Sequence, residues 1–257
     1  MEFVIHPNFV HQAKSIESCV ANFKVQGEIL GEASRNCIKI FEVDGQRINI
    51  KSFKVPAIVN RIIYSLFRKS KARRSYEYAM ILQEKGIGTP QPIAYFENSP
   101  LFLKDSYYIS EHLMADLTFR ELTTDFNYPD HEVILRQFMA FTFKLHENGI
   151  EFLDNTPGNT LIKKIGTGQY DFFLVDLNRM KFHGSMTFEQ RIINMSKLTK
   201  EVSLLKVMSD EYAKLCGKTY DDVYLLLSQN TNAFQNRLAR KKQLKRQFAF
   251  GTKKTQN

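Results

Sequence analysis

Apolar and polar residues alternate along the front of the chain. Residues 38–53, IKIFEVDGQRINIKSF, read as two such strands about Asp44-Gly45, a pair suited to a tight hairpin turn. The first fifty residues are accordingly expected to be β structure. Beyond Pro56 the period lengthens: Ile58, Ile62 and Leu66, with Val59, Ile63 and Phe67 beside them, recur every four residues and predict a helix. A second helix is predicted from Ala72 to Lys85, stopped by Gly86. GTPQP then breaks the chain before two short strands, PIAYFE and SYYISEHL, on either side of a turn at Pro100. From about Leu113 helical spacing dominates, with Ile134, Phe138, Phe141 and Leu145 on one face and Gly149 just past the end. NTLIKK and YDFFLVDL are strands flanking a Gly-Thr-Gly turn, and helices follow from Thr187 to about Leu215 and from Tyr220 to about Leu227. The pattern predicts an α+β chain in three parts: a β-rich 1–112, a mainly helical 113–235 and a basic tail, 236–257.

The 257 residues are 43% hydrophobic, enough to bury a sizeable core and too many for a disordered chain. Cys19, Cys37 and Cys216 are scattered and odd in number, which fits a reducing compartment better than a disulfide framework. The opening MEFVIHPNFVHQAK lacks the apolar core of a signal peptide, and no apolar run approaches the roughly 18 residues of a membrane span. A cytoplasmic monomer is expected, soluble or peripheral to a membrane. Charge adds a partner to this picture. The net +9 is concentrated in two acid-free stretches, Lys51 to Arg74 and Gln229 to Asn257, with eight basic residues each. Elsewhere the 27 acidic residues outnumber the remaining 20 basic ones. Surfaces of that kind fit an anionic partner: a phosphorylated substrate, an acidic lipid surface or nucleic acid. Nucleic acid is the least expected, because the tail's only aromatics are Phe234, Phe248 and Phe250 and no recognition motif accompanies them.

Candidate chemistry gathers between Leu145 and Arg179, LHENGIEFLDNTPGNTLIKKIGTGQYDFFLVDLNR. Asp154, Asn159 five residues later, and Asp176 at the end of an apolar strand have the order and spacing of the catalytic loop and metal-binding strand of protein-kinase-like phosphotransferases. Phosphoryl transfer needs a carboxylate beside the attacking hydroxyl and oxygen ligands for the Mg2+ on the ATP phosphates. Asp154 would orient the acceptor hydroxyl and take its proton; Asn159 and Asp176 would ligate the metal. Singly, each is an ordinary turn or capping residue, and the joint pattern Asp-x-x-Pro-x-Asn-x-Leu carries the assignment.

Lys51, closing the strand INIK, has the context of the phosphate-binding lysine of this fold, with Lys54 as its competitor. Glu77 on the next helix is expected to pair with Lys51, and the backbone from Glu111 to Leu113 to meet the adenine edge. Gly27 and Gly31 are a thin substitute for a full glycine-rich phosphate loop, and His146 reads as a packing or helix-end residue. Only about ten residues separate Asp176 from the helix near Thr187, and no proline follows Pro157. The segment on which protein kinases hold a peptide is missing, so the expected acceptor is a sugar or other small hydroxyl compound.

From about Arg35 to Tyr212 the chain resembles the lipopolysaccharide kinase family of Kdo kinases and core heptose kinases. The carriers are INIKSFK, ARRSYEYAMILQEKGIGTPQPIAYFE, LHENGIEFLDNTPGNTLI and FLVDLNRM. The resemblance implies a two-lobe protein-kinase-like fold and ATP- and Mg2+-dependent phosphorylation of a lipid-linked sugar, a lipopolysaccharide precursor, at the cytoplasmic face of the inner membrane. By position it gives Lys51, Glu77, Asp154, Asn159 and Asp176 the roles above. Two places depart from the family: Phe152 stands where a His is usual, and the metal motif reads Asp-Leu-Asn-Arg in place of Asp-Phe-Gly. A competing reading is a nucleotide-binding, membrane-associated scaffold that transfers nothing. It is favoured by Phe152 and the poor glycine loop, and opposed by five polar groups whose carboxylates would repel one another without a cation.

Overall fold

The computed structural model describes residues 2–31, 36–54, 69–97 and 105–251. The helix expected after Pro56 and the turn at Pro100 lie outside them. The chain divides into two compact units, Met1–Asp116 with Phe172–Met180, and Leu117–Asp171 with Lys181–Asn257. A β-rich first unit and a mainly helical second unit make this an α+β chain. The division falls four residues later than the expected 112, and the stretch carrying Asp176 belongs with the first unit.

The first unit is built on a six-stranded antiparallel sheet in the order β1-β5-β6-β4-β3-β2. The strands are β1 (Glu2–Ile5), β2 (Glu28–Ile29), β3 (Asn36–Val43), β4 (Gln46–Phe53), β5 (Pro92–Glu97) and β6 (Ser106–Glu111). Val43 faces Gln46 across the β3–β4 turn, and Asp44 and Gly45 both take positive φ, 51° and 78°. That turn twists with the strands, which is why Asp-Gly suits it. Ile48 and Ile50 point to one face of the sheet and pack with Phe9, Ile16, Val20 and Phe23. Phe9 comes from a 3-10 turn, Pro7–Gln12, Ile16 and Val20 from α1, Ala13–Ala21, and Phe23 from the turn after it, so the first fifty residues are not all β structure. The sequence signal for α1 was small: Ile16 and Val20, one turn apart, are its two buried residues. On the opposite face Phe53 and Tyr95 pack with Ala72 and Tyr76 of α2 (Lys71–Glu84). Ser70 caps α2 by accepting from the Arg73 N–H at 3.0 Å, and Gly86, at φ 63°, ends the turn beyond it.

The second unit contains α3 (Phe119–Leu122), α4 (His131–Glu147), α5 (Phe188–Met195), α6 (Val202–Cys216) and α7 (Tyr220–Gly251). Its strands are β7 (Leu117–Thr118), β8 (Ile150–Phe152) and β9 (Thr160–Gly166), with most of β11 (Met180–Phe182) and the first half of β10 (Gln169–Leu174), whose residues from Phe172 on belong with the first unit. β9 lies between β10 and β7, and β8 pairs with β11. The apolar face of α4 buries Ile134, Leu135, Phe138, Met139 and Leu145. Arg136 fastens α4 to α6 through Asp210 at 2.7 Å and Glu211 at 2.9 Å. The single helix expected from Thr187 to Leu215 is two helices, broken between Met195 and Val202.

α7 corrects a further expectation. A helix ending near Leu227 and a basic tail from 236, read as helical or frayed, are instead one continuous helix of 32 residues. Its first half is anchored by Val223, Leu227 and Thr231, buried and four apart. No glycine or proline interrupts 220–250, and the Leu, Gln, Arg and Lys that follow are good helix formers, so the helix continues after its buried face ends. Among the described residues no helix is long and apolar enough to cross a membrane.

Candidate active site

In the first unit β4 carries Lys51 on the α2 side of the sheet, with its ammonium 5.3 Å from the Phe53 ring centroid. Lys51 Nζ donates to Asp176 Oδ1 at 2.6 Å, joining residues 125 apart in sequence. Asp176 lies just after β10, at φ 60°. A left-handed conformation costs a non-glycine residue about 1 kcal/mol, although aspartate tolerates it better than most. The turn breaks the strand, and the same Oδ1 also accepts from Asn178 Nδ2 at 2.7 Å. Two charge-assisted bonds therefore hold the carboxylate in place.

The GTP segment after α2 fixes the strand leading to Asp176. Leu174 N–H donates to Gly88 O at 2.9 Å, and Thr89 Oγ1 donates to Leu174 O at 2.9 Å. Gly88 is a glycine for lack of room: a Cβ there would stand 2.0 Å from Phe172 O. The motif that marks this stretch of sequence thus sets where the Asp176 carboxylate stands.

Glu77 does not pair with Lys51. Its carboxylate accepts from Lys69 at 2.8 Å and from Arg73 Nε at 3.0 Å. Arg73 lies one turn back on the same helix, so a local i,i+4 pair wins over the strand lysine. Ala72, Tyr76 and Ala79 form the inward face of α2, and Glu77 sits beside that face. Burial pushes the Glu77 carboxyl up, but the bonds from Lys69 and Arg73 outweigh it and leave the group below its ordinary value. Arg73 also reaches Glu2 at 3.7 Å and Glu97 at 3.6 Å, so the cluster ties α2 to β1 and β5.

At the end of β6, in the middle of the sheet, Glu111 Oε1 accepts from Gln46 Nε2 at 2.6 Å. The N–H of Glu111 donates to Gln91 O at 2.9 Å and that of His112 to Arg47 O at 3.0 Å. The first two of the three expected hinge amides are thus committed to the sheet, and Leu113 is half-buried. Gly27 and Gly31 both take positive φ, and the loop beyond Gly31 continues outside the described residues.

In the second unit Asp154 follows β8, and a 3-10 turn, Pro157–Asn159, returns the chain into β9. Asn159 Nδ2 donates to the Asp154 carbonyl at 2.8 Å. This fixes the spacing of the loop and leaves Asn159 Oδ1 as the end a cation would meet. Phe152 is fully buried beneath the loop. His146 is buried too, with Nδ1 2.7 Å from the Tyr212 hydroxyl and Nε2 3.3 Å from Asn194 Oδ1. Desolvation pushes its pKa down to about 4, so the ring is neutral and serves the core. Asn155, Asn194 and Lys197 also hold this loop and were missed in the sequence, because 194 and 197 lie some forty residues away and carry no motif.

No protein-family model matches this sequence, and no curated protein matches it by sequence. Among solved structures, one of WaaP in complex with acyl carrier protein superposes with a TM-score of 0.64. The match covers 94% of this chain and 99% of that one at 16% sequence identity. The chain has a WaaP-like fold. At that identity the likeness speaks for the fold, and the residues above speak for the chemistry.

Proposed function

We propose that this chain is an ATP-dependent kinase of a sugar hydroxyl, Kdo or heptose, on a lipid-linked precursor of the lipopolysaccharide inner core. The observation that carries the reading is the Lys51–Asp176 contact at 2.6 Å. It sets an ammonium suited to phosphate oxygens against a carboxylate suited to their counter-cation, at the side-chain pair the sequence marks for both tasks. The resemblance of the motifs and the WaaP-like fold support the same reading.

In this mechanism Lys51 holds the nucleotide phosphates. The Asp176 carboxylate and the Asn159 amide oxygen are each the hard donor that Mg2+ takes, and each would serve as a ligand to it. When bound, the ion would offset charge on the phosphate oxygens. Asp154 accepts the proton of the sugar hydroxyl as its oxygen bonds to the γ-phosphorus and the bond to ADP breaks. Lys51 is oriented by Asp176 rather than by Glu77, whose work is to brace α2. The chain from Asp176 to α5 holds one three-residue strand, β11, which suits a compact acceptor better than a peptide.

The acid-free half of α7 is the proposed membrane contact, placing the enzyme at the cytoplasmic face of an anionic bilayer. Arg237, Arg240, Lys241, Lys242 and Arg246 are all exposed there, as are Leu238 and Leu244. Each basic residue near such a surface contributes on the order of 1 kcal/mol. The acyl carrier protein named with the WaaP structure is the alternative partner for this helix.

The kinase reading is tested by transfer of labelled γ-phosphate from Mg-ATP to a panel of Kdo- and heptose-bearing lipid A acceptors. Label on one sugar identifies the acceptor. Nucleotide binding without label on any acceptor favours the scaffold, a reading that Phe152 supports.

A further inference from the structure

Two consecutive carbonyls just before Asp154 are held by one short stretch of chain far away in sequence. Asn194, in the last turn of α5, donates Nδ2 to Phe152 O at 2.7 Å. Lys197, two residues past the end of α5, donates Nζ to Leu153 O at 2.7 Å. On the other side of Asp154, Asn155 Nδ2 reaches Asn194 O at 3.2 Å and Asn194 Oδ1 at 3.4 Å. Both flanks of Asp154 are therefore tied to residues 194–197.

The tie is itself well founded. Asn155 and Asn194 are each 2% exposed, so their bonds have little competition from water. His146 presents Nε2 to Asn194 Oδ1 and Nδ1 to the Tyr212 hydroxyl, which fixes the amide with its nitrogen toward Phe152 O. The consistent arrangement has the Tyr212 O–H donating to Nδ1 and the His146 Nε2–H donating to Asn194. The turn from Ser196 to Leu198 is closed by Ser196 N–H to Ile192 O at 3.1 Å and Leu198 N–H to Met195 O at 3.0 Å. It projects Lys197 back toward the loop. Phe152 has no polar side chain with which to brace the loop, so the polar fastening acts through its carbonyl instead.

We propose that Asn194 and Lys197 form a clamp that positions Asp154, with Lys197 as a positioning residue for phosphoryl transfer. Asn194 supplies a buried neutral bond. Lys197 supplies a charge-assisted one, roughly twice as strong as its neutral equivalent, and sets a positive charge one residue from the aspartate. Displacing a reacting group by about 1 Å costs on the order of a hundredfold in rate, so a loop fixed at both flanks has a direct catalytic effect. The kinetic part of this inference rests on the kinase reading; the clamp itself does not.

The test compares wild type with Lys197→Met, which keeps the stem and loses the charge, and Lys197→Arg, which returns it. The first readout, hydrogen exchange of peptides spanning 152–159, needs no turnover. Exchange should quicken on the order of tenfold in Lys197→Met and recover in Lys197→Arg, with α4 and α6 peptides unchanged. The second readout is kinetic: kcat should fall on the order of tenfold or more in Lys197→Met while KM for ATP stays within about twofold. Wild-type exchange in Lys197→Met overturns the clamp, and altered exchange at unchanged kcat overturns its catalytic effect. Should Lys197→Met unfold, Lys197→Gln takes its place. A responsive loop in a protein that phosphorylates no acceptor would remove the kinase reading and leave the clamp standing.

Discussion

At the scale of single residues the buried imidazole of His146 is held neutral. His146 has the clearest pH consequence. Burial lowers its pKa from the ordinary 6.5 to about 4 in the folded protein. As pH falls below 6.5 the unfolded chain gains a proton here that the native state refuses, so stability is lost until about pH 4 and then levels off. The slope from this group is at most about 1.4 kcal/mol per pH unit. Urea unfolding between pH 7 and pH 4.5 should accordingly fall more steeply for the wild type than for His146→Gln; equal slopes would mean that His146 does not titrate in this way. The residues proposed for chemistry were legible in the sequence because their types and intervals are demanded by phosphoryl transfer. The partner of Lys51 was not: Glu77 has the expected place on α2, but Arg73 one turn away and Lys69 beside it capture its carboxylate. Such competition among neighbouring charges leaves no periodic trace.

Among the elements, strands and long amphipathic helices were readable and boundaries were less so. The β3–β4 hairpin follows from its Asp-Gly turn, and α4 from its apolar stripe. α1 and the continuity of α7 were missed because one has only a two-residue apolar signal and the other continues on helix propensity after its apolar face stops. The GTP segment shows an element whose task appears only in three dimensions. A Cβ at Gly88 would meet the backbone carbonyl of Phe172 at 2.0 Å, and backbone cannot swing aside as a side chain can. Gly88→Ala should therefore shift the end of β10 and Asp176 with it. We expect a loss of roughly 1–3 kcal/mol in stability, the usual range for overpacking, and a larger proportional loss of phosphate transfer. Wild-type melting and turnover would show that β10 accommodates the methyl. For α7, replacing Arg240, Lys241 and Lys242 by glutamate should remove most binding to vesicles of anionic phospholipid at low salt without changing the melting temperature. Unchanged sedimentation with vesicles would exclude this helix as the membrane contact, and competition by acyl carrier protein alone would redirect it to a protein partner.

At the scale of the whole molecule, the β-rich unit pairs Lys51 with Asp176, and the helical unit secures Asp154 and Asn159 in one loop. Phosphate transfer is the role proposed for these residues. The most direct test measures nucleotide affinity and γ-phosphate transfer on the same samples of wild type, Asp154→Asn and Lys51→Met, with the lipid A acceptor that the panel selects. Asp154→Asn should bind Mg-ATP within about threefold of wild type yet lose transfer by on the order of a thousandfold or more, as expected for a general base. Lys51→Met should weaken nucleotide binding and transfer together. Transfer by Asp154→Asn at the wild-type rate would contradict the assignment of the catalytic loop, and with it the proposed function.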